Sequence, residues 1–336
     1  FPSITSEDLN KIAELCPNVK KLYISEQSAL IDISLKKYNN LSDITIISCV
    51  NLKSINNLNE IINLSKFVLY DNKSFENYDY VFECILKNEN CYVELDIDQY
   101  FPLSNYLLKN KLNKKIIEKV SWVENLGLRK KSYFKYEVNE INKIRDTILK
   151  ISSKYIFKSD GDMEKFGILY RWMIKNISFI NEDENEDLIC EYNNVYDVFS
   201  NFYGGRLSYA KAFQVLLSAV GIKSTIVYSL GALDDIGKYD GELVYSLIGL
   251  SDYALLRVSL NDRYYYLDVA WDSLVYKYNY YDSLRLFLVS KDELMVRHKL
   301  VGEGNIGKTH SYHGDDSDDL NIFAEDRIQY VDSLFS

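Results

Sequence analysis

The sequence is poor in the residue types that define several protein classes. Among its 336 residues are 3 Pro, 3 His and 5 Cys. Zinc sites and disulfide frameworks both need cysteines in recognisable pairs, and these five show no close pairing. We therefore expect buried free thiols, no metal and no cofactor. Cys84 and Cys91 could form a disulfide only if the fold brings them together.

The sequence also lacks clusters of basic residues and long apolar runs. Its formal net charge is -10, whereas nucleic acids and anionic membranes bind proteins through clustered Lys and Arg. No apolar run is long enough to cross a bilayer. The first ten residues have no basic and apolar signal-peptide regions, but the chain begins with Phe1, so they do not indicate a location. These features argue against nucleic acid as a partner and against a transmembrane segment.

Tyrosine, in contrast, is abundant, with 29 residues. It suits strands and half-buried contact surfaces, because the ring packs while the hydroxyl stays in water. A nucleotide-composition bias that also enriches Lys, Asn and Ile explains the abundance equally well. If exposed, one tyrosine run is a candidate contact surface: Tyr276, Tyr278, Tyr280 and Tyr281.

The N-terminal third of the chain carries a weak repeat. An apolar-x-x-apolar-x-apolar pattern occurs four times, at intervals of 22, 23 and 28 residues. This period resembles leucine-rich repeats, in which each unit adds one short strand to a curved parallel sheet. The full asparagine ladder of that family is missing, and an ordinary small α/β domain is the alternative. The four triplets are Val19/Leu22/Ile24, Leu41/Ile44/Ile46, Leu64/Phe67/Leu69 and Tyr92/Leu95/Ile97.

The remainder of the chain shows helical spacing first and strand patterns later. One helix followed by an antiparallel sheet is an α+β arrangement, and Asn261-Asp262 is a hairpin turn signal. Residues 100–130 suggest a helical connection, and the acidic run 181–187 suggests an exposed loop more than a calcium site. The predicted helices lie at Ile141–Tyr155, Phe166–Ile174 and Ser208–Val220, and the predicted strands at Ser224–Tyr228, Tyr253–Leu260 and Arg263–Val269.

A second resemblance covers roughly residues 135 to 300. The segment GGRLSYAKAFQVLLSAVGI, Gly204–Ile222, resembles the transglutaminase-like motif in which a glycine-rich turn delivers a catalytic Cys to the start of a buried helix. Tyr253–Ser273 is similar to the paired strands that carry the family's catalytic His and then its Asp. The resemblance implies a papain-like α+β fold. Shorter matching segments are Tyr170–Ile177, Tyr196–Phe199 and Phe287–His298.

The chemistry of that family needs a thiol and a base. A Cys at a helix N-terminus has a lowered pKa, a neighbouring His takes its proton, and an acid orients the His. The resemblance puts Arg206 at the Cys position and Tyr253 at the His position, and it retains only the acid, Asp268. No acyl-enzyme forms without thiol and base. We therefore expect a catalytically inactive protein.

These substitutions suggest a specific arrangement at the former site. A helix dipole disfavours a cation near the N-terminus, so an anion should lie close to Arg206. We predict that Arg206, Tyr253 and Asp268 form a hydrogen-bonded cluster that fills the former catalytic cleft; the alternative is that Arg206 points into solvent. In the family, Trp271 packs beside the site and could line a cleft, although such a Trp is more often core.

Two alternative functions remain open. In one, Ser208 or Cys190 acts as a displaced nucleophile of a cysteine or serine peptidase, transglutaminase or deamidase. Ser208 is more simply the N-cap of a helix beginning at Tyr209. In the other, the tyrosine-rich surface is a cell-wall glycan-binding module. The histidines lie outside the motif that normally supplies the base: His298, His310 and His313.

The sequence thus predicts an α+β protein that acts in protein or peptide binding or scaffolding. The resemblance implies a bacterial cell-surface or secreted location, with the cytoplasm as the alternative. The candidate binding residues are Trp271, Tyr276, Tyr278 and Tyr280. The predicted parts are a leucine-rich-repeat-like α/β domain at 1–120, a linker at 121–134, a transglutaminase-like domain at 135–310 and a C-terminal tail at 311–336.

Overall fold

The chain folds into two compact units, each with helices and strands, so the mixed α+β class is confirmed. The first unit comprises Phe1–Asn125 and Tyr133–Tyr136, and the second contains Glu137–Gly302. No helix in the described ranges is long and apolar enough to cross a membrane. The computed structural model describes residues 3–38, 40–126, 133–180, 194–232, 252–270, 272–273, 287–295, 298–301 and 326–334.

The first unit is built on a parallel sheet. Its strands are β1 (Lys21–Ser25), β2 (Asp32–Ser34), β3 (Asp43–Ile47), β4 (Ser54–Asn56), β5 (Lys66–Tyr70), β6 (Tyr92–Asp96), β7 (Val120–Asn125) and β8 (Tyr133–Lys135). Six strands form one sheet in the order β1-β3-β5-β6-β7-β8, where the first five are parallel and β8 is antiparallel to β7. Strands β2 and β4 form a separate parallel pair.

The register of these strands follows the sequence repeat. Leu22 lies opposite Ile44, and Ile44 lies opposite Phe67, which confirms the intervals of 22 and 23 residues. The fourth repeat differs from the prediction, because Val93 and not Leu95 lies opposite Phe67. The interval is therefore 26 residues. The error arose because Val93, Leu95 and Ile97 are all apolar, so the last two positions of the pattern fit two registers, while its first position fits only the wrong register. In the register of the structure, that first position is the polar Asn90.

Helices connect the strands of the first unit. They are α1 (Ser6–Leu15), α2 (Tyr78–Lys87) and α3 (Tyr100–Lys109), with 3-10 helices at Leu58–Glu60, Ile97–Gln99 and Lys114–Lys119. The connection predicted at 100–130 thus contains α3 and a 3-10 helix, but it ends in a strand. Because β7 pairs with β6, part of the predicted linker 121–134 belongs to the sheet of the first unit.

Buried asparagine side chains link successive repeats. The Asn72 Oδ1 accepts a hydrogen bond from the Cys49 N–H at 2.9 Å, and its Nδ2 donates to the Ile46 carbonyl at 3.1 Å. Asn88 plays the same role farther along the chain, where its Oδ1 accepts from the Leu64 N–H at 2.8 Å. These bonds satisfy backbone groups in the buried turns between strands, where an unpaired group is costly.

The second unit packs helices on an antiparallel sheet. Its helices are α4 (Val138–Tyr155), α5 (Asp162–Asn176), α6 (Val195–Asn201), α7 (Arg206–Ala219), α8 (Lys291–Met295) and α9 (326–333). Its strands are β9 (Ser178–Phe179), β10 (Tyr203–Gly204), β11 (Ser224–Ala232), β12 (Asp252–Leu260), β13 (Arg263–Leu267) and β14 (His298–Val301). The main sheet has the order β13-β12-β11-β14, a second sheet pairs β9 with β10, and α7 packs against β11 and β12.

Local signals explain how the central elements of the second unit end and connect. Gly221 has a φ of 85° just after α7, the left-handed conformation that commonly ends helices. Asn261 and Asp262 have φ values of 49° and 60°, as the tight turn between β12 and β13 requires. The predicted hairpin is therefore confirmed.

The described part of the predicted C-terminal tail is the helix α9, which packs into the second unit. Within it, Ile328 and Val331 of α9 are buried. The Arg327 guanidinium lies 3.3 Å from the Asp160 carboxylate and 4.4 Å from the Phe157 ring centroid. An apolar stripe and a buried ion pair therefore dock this helix in the second unit.

Candidate functional site

The start of α7 holds the residue that the resemblance places at the nucleophile position. The helix begins at Arg206, which is partly buried, and its N-cap is Gly205, with φ -78° and ψ 177°. Gly204 passes so close to the helix that an added Cβ would lie 2.7 Å from the Val198 Cγ2 and 2.9 Å from the Ser208 Oγ. A side chain does not fit there, which accounts for the glycine in this turn.

Ser208 lies in the first turn of α7 and does not cap it. The prediction of a helix beginning at Tyr209 is wrong, because Gly205 takes the N-cap position three residues earlier. Ser208 is fully buried, and its Oγ donates a hydrogen bond of 3.1 Å to the Gly205 carbonyl. In the part of the chain that the structure describes, this hydroxyl is therefore buried and bonded to the backbone.

The sheet places Tyr253 and Asp268, which the resemblance aligns with the family's His and acid, at one end. Tyr253 is the second residue of β12, and its Cα pairs with that of Ser229 in β11. Asp268 follows β13 directly and is fully buried. Because Leu256 pairs with Leu267, the start of β12 and Asp268 lie at the same end of the sheet. The predicted hydrogen-bonded cluster with Arg206 stays a prediction.

Several residues singled out in the sequence lie outside the described part of the chain. The acidic run 181–187 is one of them. The same holds for the four candidate binding residues, the alternative nucleophile and two of the histidines: Trp271, Tyr276, Tyr278, Tyr280, Cys190, His310 and His313. His298, in contrast, is described: it is the first residue of β14 and pairs with Ala232 in β11.

A buried polar cluster near the retained acid was missed by the sequence analysis. The Tyr170 hydroxyl, on α5, donates a hydrogen bond of 2.5 Å to the Asp272 Oδ2. The hydroxyls of Tyr209 and Ser273 both donate to the Ile177 carbonyl, at 3.2 and 3.4 Å. All four of these side chains are buried. Little in the sequence indicates this cluster. Tyr170 occupies a core position of an apolar helix face, and nothing in that face indicates a polar partner.

The electrostatics of this cluster favour a neutral carboxyl group. Burial raises the pKa of Asp272 well above its usual range; the hydrogen bond from Tyr170 opposes this shift, and the charge of Asp268 adds to it. Burial also raises the pKa of Tyr170. The Asp272 Oδ1 is buried and has no hydrogen-bond partner in the part of the chain that the structure describes. Neither side chain is exposed to solvent.

Aromatic rings hold Tyr170 in place. Its ring centroid lies 4.7 Å from that of Phe287 and 6.1 Å from that of Phe213 on α7. Phe166, one turn earlier on α5, packs 5.9 Å from Phe213. The space between α5 and α7 is therefore filled by aromatic side chains, and this packing orients the Tyr170 hydroxyl toward Asp272.

Thiols and metal ligands do not form a site in the described ranges. No group of three His, Cys, Asp or Glu side chains is placed there to hold a metal ion. Cys49, Cys84 and Cys91 are buried and free, while Cys16 is exposed and free. Burial raises the pKa of Cys84 to about 12 and that of Cys91 to about 11, so both stay protonated thiols.

Known proteins show only distant similarity to this chain. No protein-family model and no curated protein matches the sequence. A candidate cysteine protease from Cytophaga hutchinsonii has a TM-score of 0.30 at 12% identity, over 54% of this chain and 61% of that one. A candidate protease from Parabacteroides distasonis has a TM-score of 0.26 at 17% identity, over 43% and 30%. This chain thus spans less than two thirds of either protein, and a similarity at this level assigns neither activity nor substrate.

Proposed function

We propose that this protein binds a protein or peptide partner and that its second unit is a catalytically inactive, transglutaminase-like domain. The observation that carries this proposal is Arg206 at the first position of α7, where the resemblance places the thiol. A guanidinium stays protonated in proteins and cannot attack a carbonyl carbon. The nearest hydroxyl, that of Ser208, is buried and bonded to the backbone.

The other triad positions support the same conclusion. A phenol at Tyr253 is a poor replacement for imidazole as a base, because the usual tyrosine pKa is about 10. Asp268 is fully buried after β13, and in our proposal the motif offers it a tyrosine in place of the histidine that the family's acid orients. In our proposal Asp268 and the Tyr253 hydroxyl instead bind the Arg206 guanidinium, which offsets the unfavourable position of a cation at a helix N-terminus.

The first unit supplies the binding role in this proposal. Its parallel strands follow one another in chain order, as in leucine-rich repeats, and such stacks present an extended sheet face to partners. A cell-surface or secreted location belongs to the proposal as well, because it rests on the combination of the two resemblances alone.

Amine incorporation and peptide hydrolysis test the inactivity. The full chain is incubated with a labelled primary amine and a glutamine-containing acceptor protein, and separately with a fluorogenic peptide library. We expect only background turnover, unchanged in Ser208→Ala and Cys190→Ala. Ser218→Ala is the matched control, because this hydroxyl also donates to a carbonyl three residues earlier in α7, at 2.7 Å. Turnover that Ser208→Ala or Cys190→Ala abolishes and Ser218→Ala retains would overturn the proposal.

A further inference from the structure

The helix α9 is attached to the corner between α4 and α5. Its buried side chains, Ile328 and Val331, are three residues apart and therefore share one face of the helix. Charged and aromatic groups of α4 and of the turn after it contact α9. We call the four residues that supply these groups the α4–α5 corner: Lys154, Tyr155, Phe157 and Asp160.

The first attachment point is the Asp160 carboxylate, in the turn before α5. Its Oδ2 accepts a hydrogen bond of 2.7 Å from the Phe157 N–H and lies 3.3 Å from the Arg327 Nη1. The side chains of Asp160 and Arg327 are 3% and 15% exposed. The guanidinium also lies 4.4 Å from the centroid of the Phe157 ring. Arg327 is thus held by a buried carboxylate and by an aromatic ring.

The second attachment point is Asp332, five residues farther along α9. Its Oδ1 accepts hydrogen bonds from the Lys154 Nζ at 2.6 Å and from the Tyr155 hydroxyl at 2.7 Å. The side chains of Lys154 and Asp332 are more exposed than the first pair, at 29% and 48%. Because solvent reaches this pair, dissolved salt screens it.

The helix of α9 depends on these contacts. Among residues 326–333, only Arg327 and Gln329 are strong helix formers. The Asp332 carboxylate lies in the last turn, where the helix dipole disfavours a negative charge. Most helical stability in proteins comes from packing. A segment with this sequence therefore keeps its helix only while it is docked.

The apolar contact of α9 is small compared with that of the central helix. Two of the eight residues 326–333 are buried, Ile328 and Val331. In α7, by contrast, ten of 14 residues are buried. Segments with few buried apolar contacts open locally at a lower free energy than the core of the same unit. The packing therefore makes α9 easier to open than α7.

We propose that α9 is a latch, which opens from the α4–α5 corner as one unit while α7 stays folded, and that its two charged attachment points set how often it opens. Opening removes Arg327 and Asp332 from the corner. The Asp160 carboxylate and the Tyr155 hydroxyl are then available to a partner only in the open state. While docked, α9 adds its docking free energy to the stability of the second unit.

Hydrogen exchange of the native full chain tests this inference. Deuterium uptake is measured near neutral pH by mass spectrometry after pepsin digestion, in a fragment that covers 326–334 and in one from α7. We expect α9 to exchange faster than α7 but more slowly than an unstructured peptide. Adding about 1 M NaCl should speed exchange in α9 alone, because the Lys154–Asp332 pair is screened.

Variants of the corner test the two attachment points. Asp160→Asn keeps an acceptor for the Phe157 N–H but removes the charge that faces Arg327, so exchange in α9 should become at least about tenfold faster. Lys154→Gln should speed it about twofold, as expected for a partly exposed pair. Asp146→Asn is the matched control on α4, because this carboxylate pairs with Arg145 at 2.8 Å. It should leave exchange in α9 unchanged.

Three outcomes overturn the proposal. Equal exchange rates in α9 and α7 would show that α9 opens only when the whole unit unfolds. Exchange in the wild type as fast as in an unstructured peptide would show that α9 is not docked. An equal effect of Asp146→Asn and Asp160→Asn would show that the attachment points do not control opening. If Asp160→Asn also speeds exchange in α7, Lys154→Gln decides. None of these results depends on the proposed binding function, so the two fail separately.

Discussion

Tyr170 and Asp272 form a buried hydrogen bond of 2.5 Å that joins α5 to the chain just after β13. Both side chains are fully buried. The Asp272 N–H also donates to the Asp268 carbonyl at 3.0 Å. The pair thus holds the segment that carries Asp268 against the helices of the second unit.

Tyr170→Phe should destabilise the protein. Removing the hydroxyl leaves the buried Asp272 carboxyl group without its donor, which typically costs about 1–3 kcal/mol of unfolding free energy. Urea unfolding followed by tyrosine and tryptophan fluorescence measures the change. Tyr330→Phe is the control, since this ring on α9 is 60% exposed. If the two variants unfold at the same urea concentration, the hydrogen bond does not contribute as described.

The raised pKa of Asp272 predicts a pH dependence of stability. A carboxyl group whose folded pKa lies above its unfolded value binds its proton more tightly in the native state. Its contribution to stability is full below the unfolded pKa and is lost as the pH rises through the folded pKa. Asp272→Asn removes this loss, so the variant should exceed the wild type in stability at neutral pH but not in acid. Thermal unfolding from about pH 4 to about pH 8 measures the difference.

Asp332 on α9 provides the control of opposite sign. Burial acts to raise its pKa, but hydrogen bonds from Lys154 at 2.6 Å and Tyr155 at 2.7 Å outweigh it, so the pKa is lowered. The stability from this group is present above the unfolded pKa and is lost as the pH falls through the folded pKa. Asp332→Asn should therefore lower stability at neutral pH. If both variants change stability at neutral pH in the same direction, the opposite pKa shifts described for Asp272 and Asp332 are wrong.

Gly204→Ala should disturb the start of α7. The new Cβ would lie 2.7 Å from the Val198 Cγ2, a clash that forces α6 or the helix start to move. Overpacking of this kind costs about 1–3 kcal/mol. Gly161→Ala is the matched control, because its Cβ would meet only the Glu164 Oε2 at 3.8 Å. Equal unfolding midpoints for the two variants would show that the turn has room for a side chain.

Asn72→Ala should be among the most damaging single changes in the first unit. It leaves the buried Cys49 N–H without the side chain that accepts from it, at a cost of about 1–3 kcal/mol, and it also removes the bond to the Ile46 carbonyl. Asn110→Ala is the control, since its side chain bonds the Tyr106 carbonyl at an exposed helix end. Similar urea midpoints for both variants would contradict a structural role for the buried asparagine.

The parallel sheet could be predicted because its signal is local and repeated. The apolar positions at Leu22, Ile44 and Phe67 share one period, and each is buried in the same row of the sheet. The strand β7 was not predicted. Apolar residues at helical spacing lead directly into Val120, the first residue of this strand. The burial of both Trp122 and Val123 in that strand removes the alternation that would have revealed it.

The site could be predicted only where a motif marks it. The glycine pair before α7 indicated the helix start, yet it did not show that Gly205 and not Ser208 would be the N-cap. The bond between Tyr170 and Asp272 joins residues 102 positions apart, so neither residue has a local pattern that indicates the other.

Trapping of an acyl-enzyme tests the central claim, the absence of a working nucleophile, most directly. The full chain is incubated with an excess of a glutamine-containing peptide, quenched in acid and measured by intact-mass spectrometry with peptide mapping. With Arg206 at the start of α7 and Ser208 buried, the mass of the chain should stay unchanged. An added acyl group that maps to Ser208 or Cys190 would contradict the account.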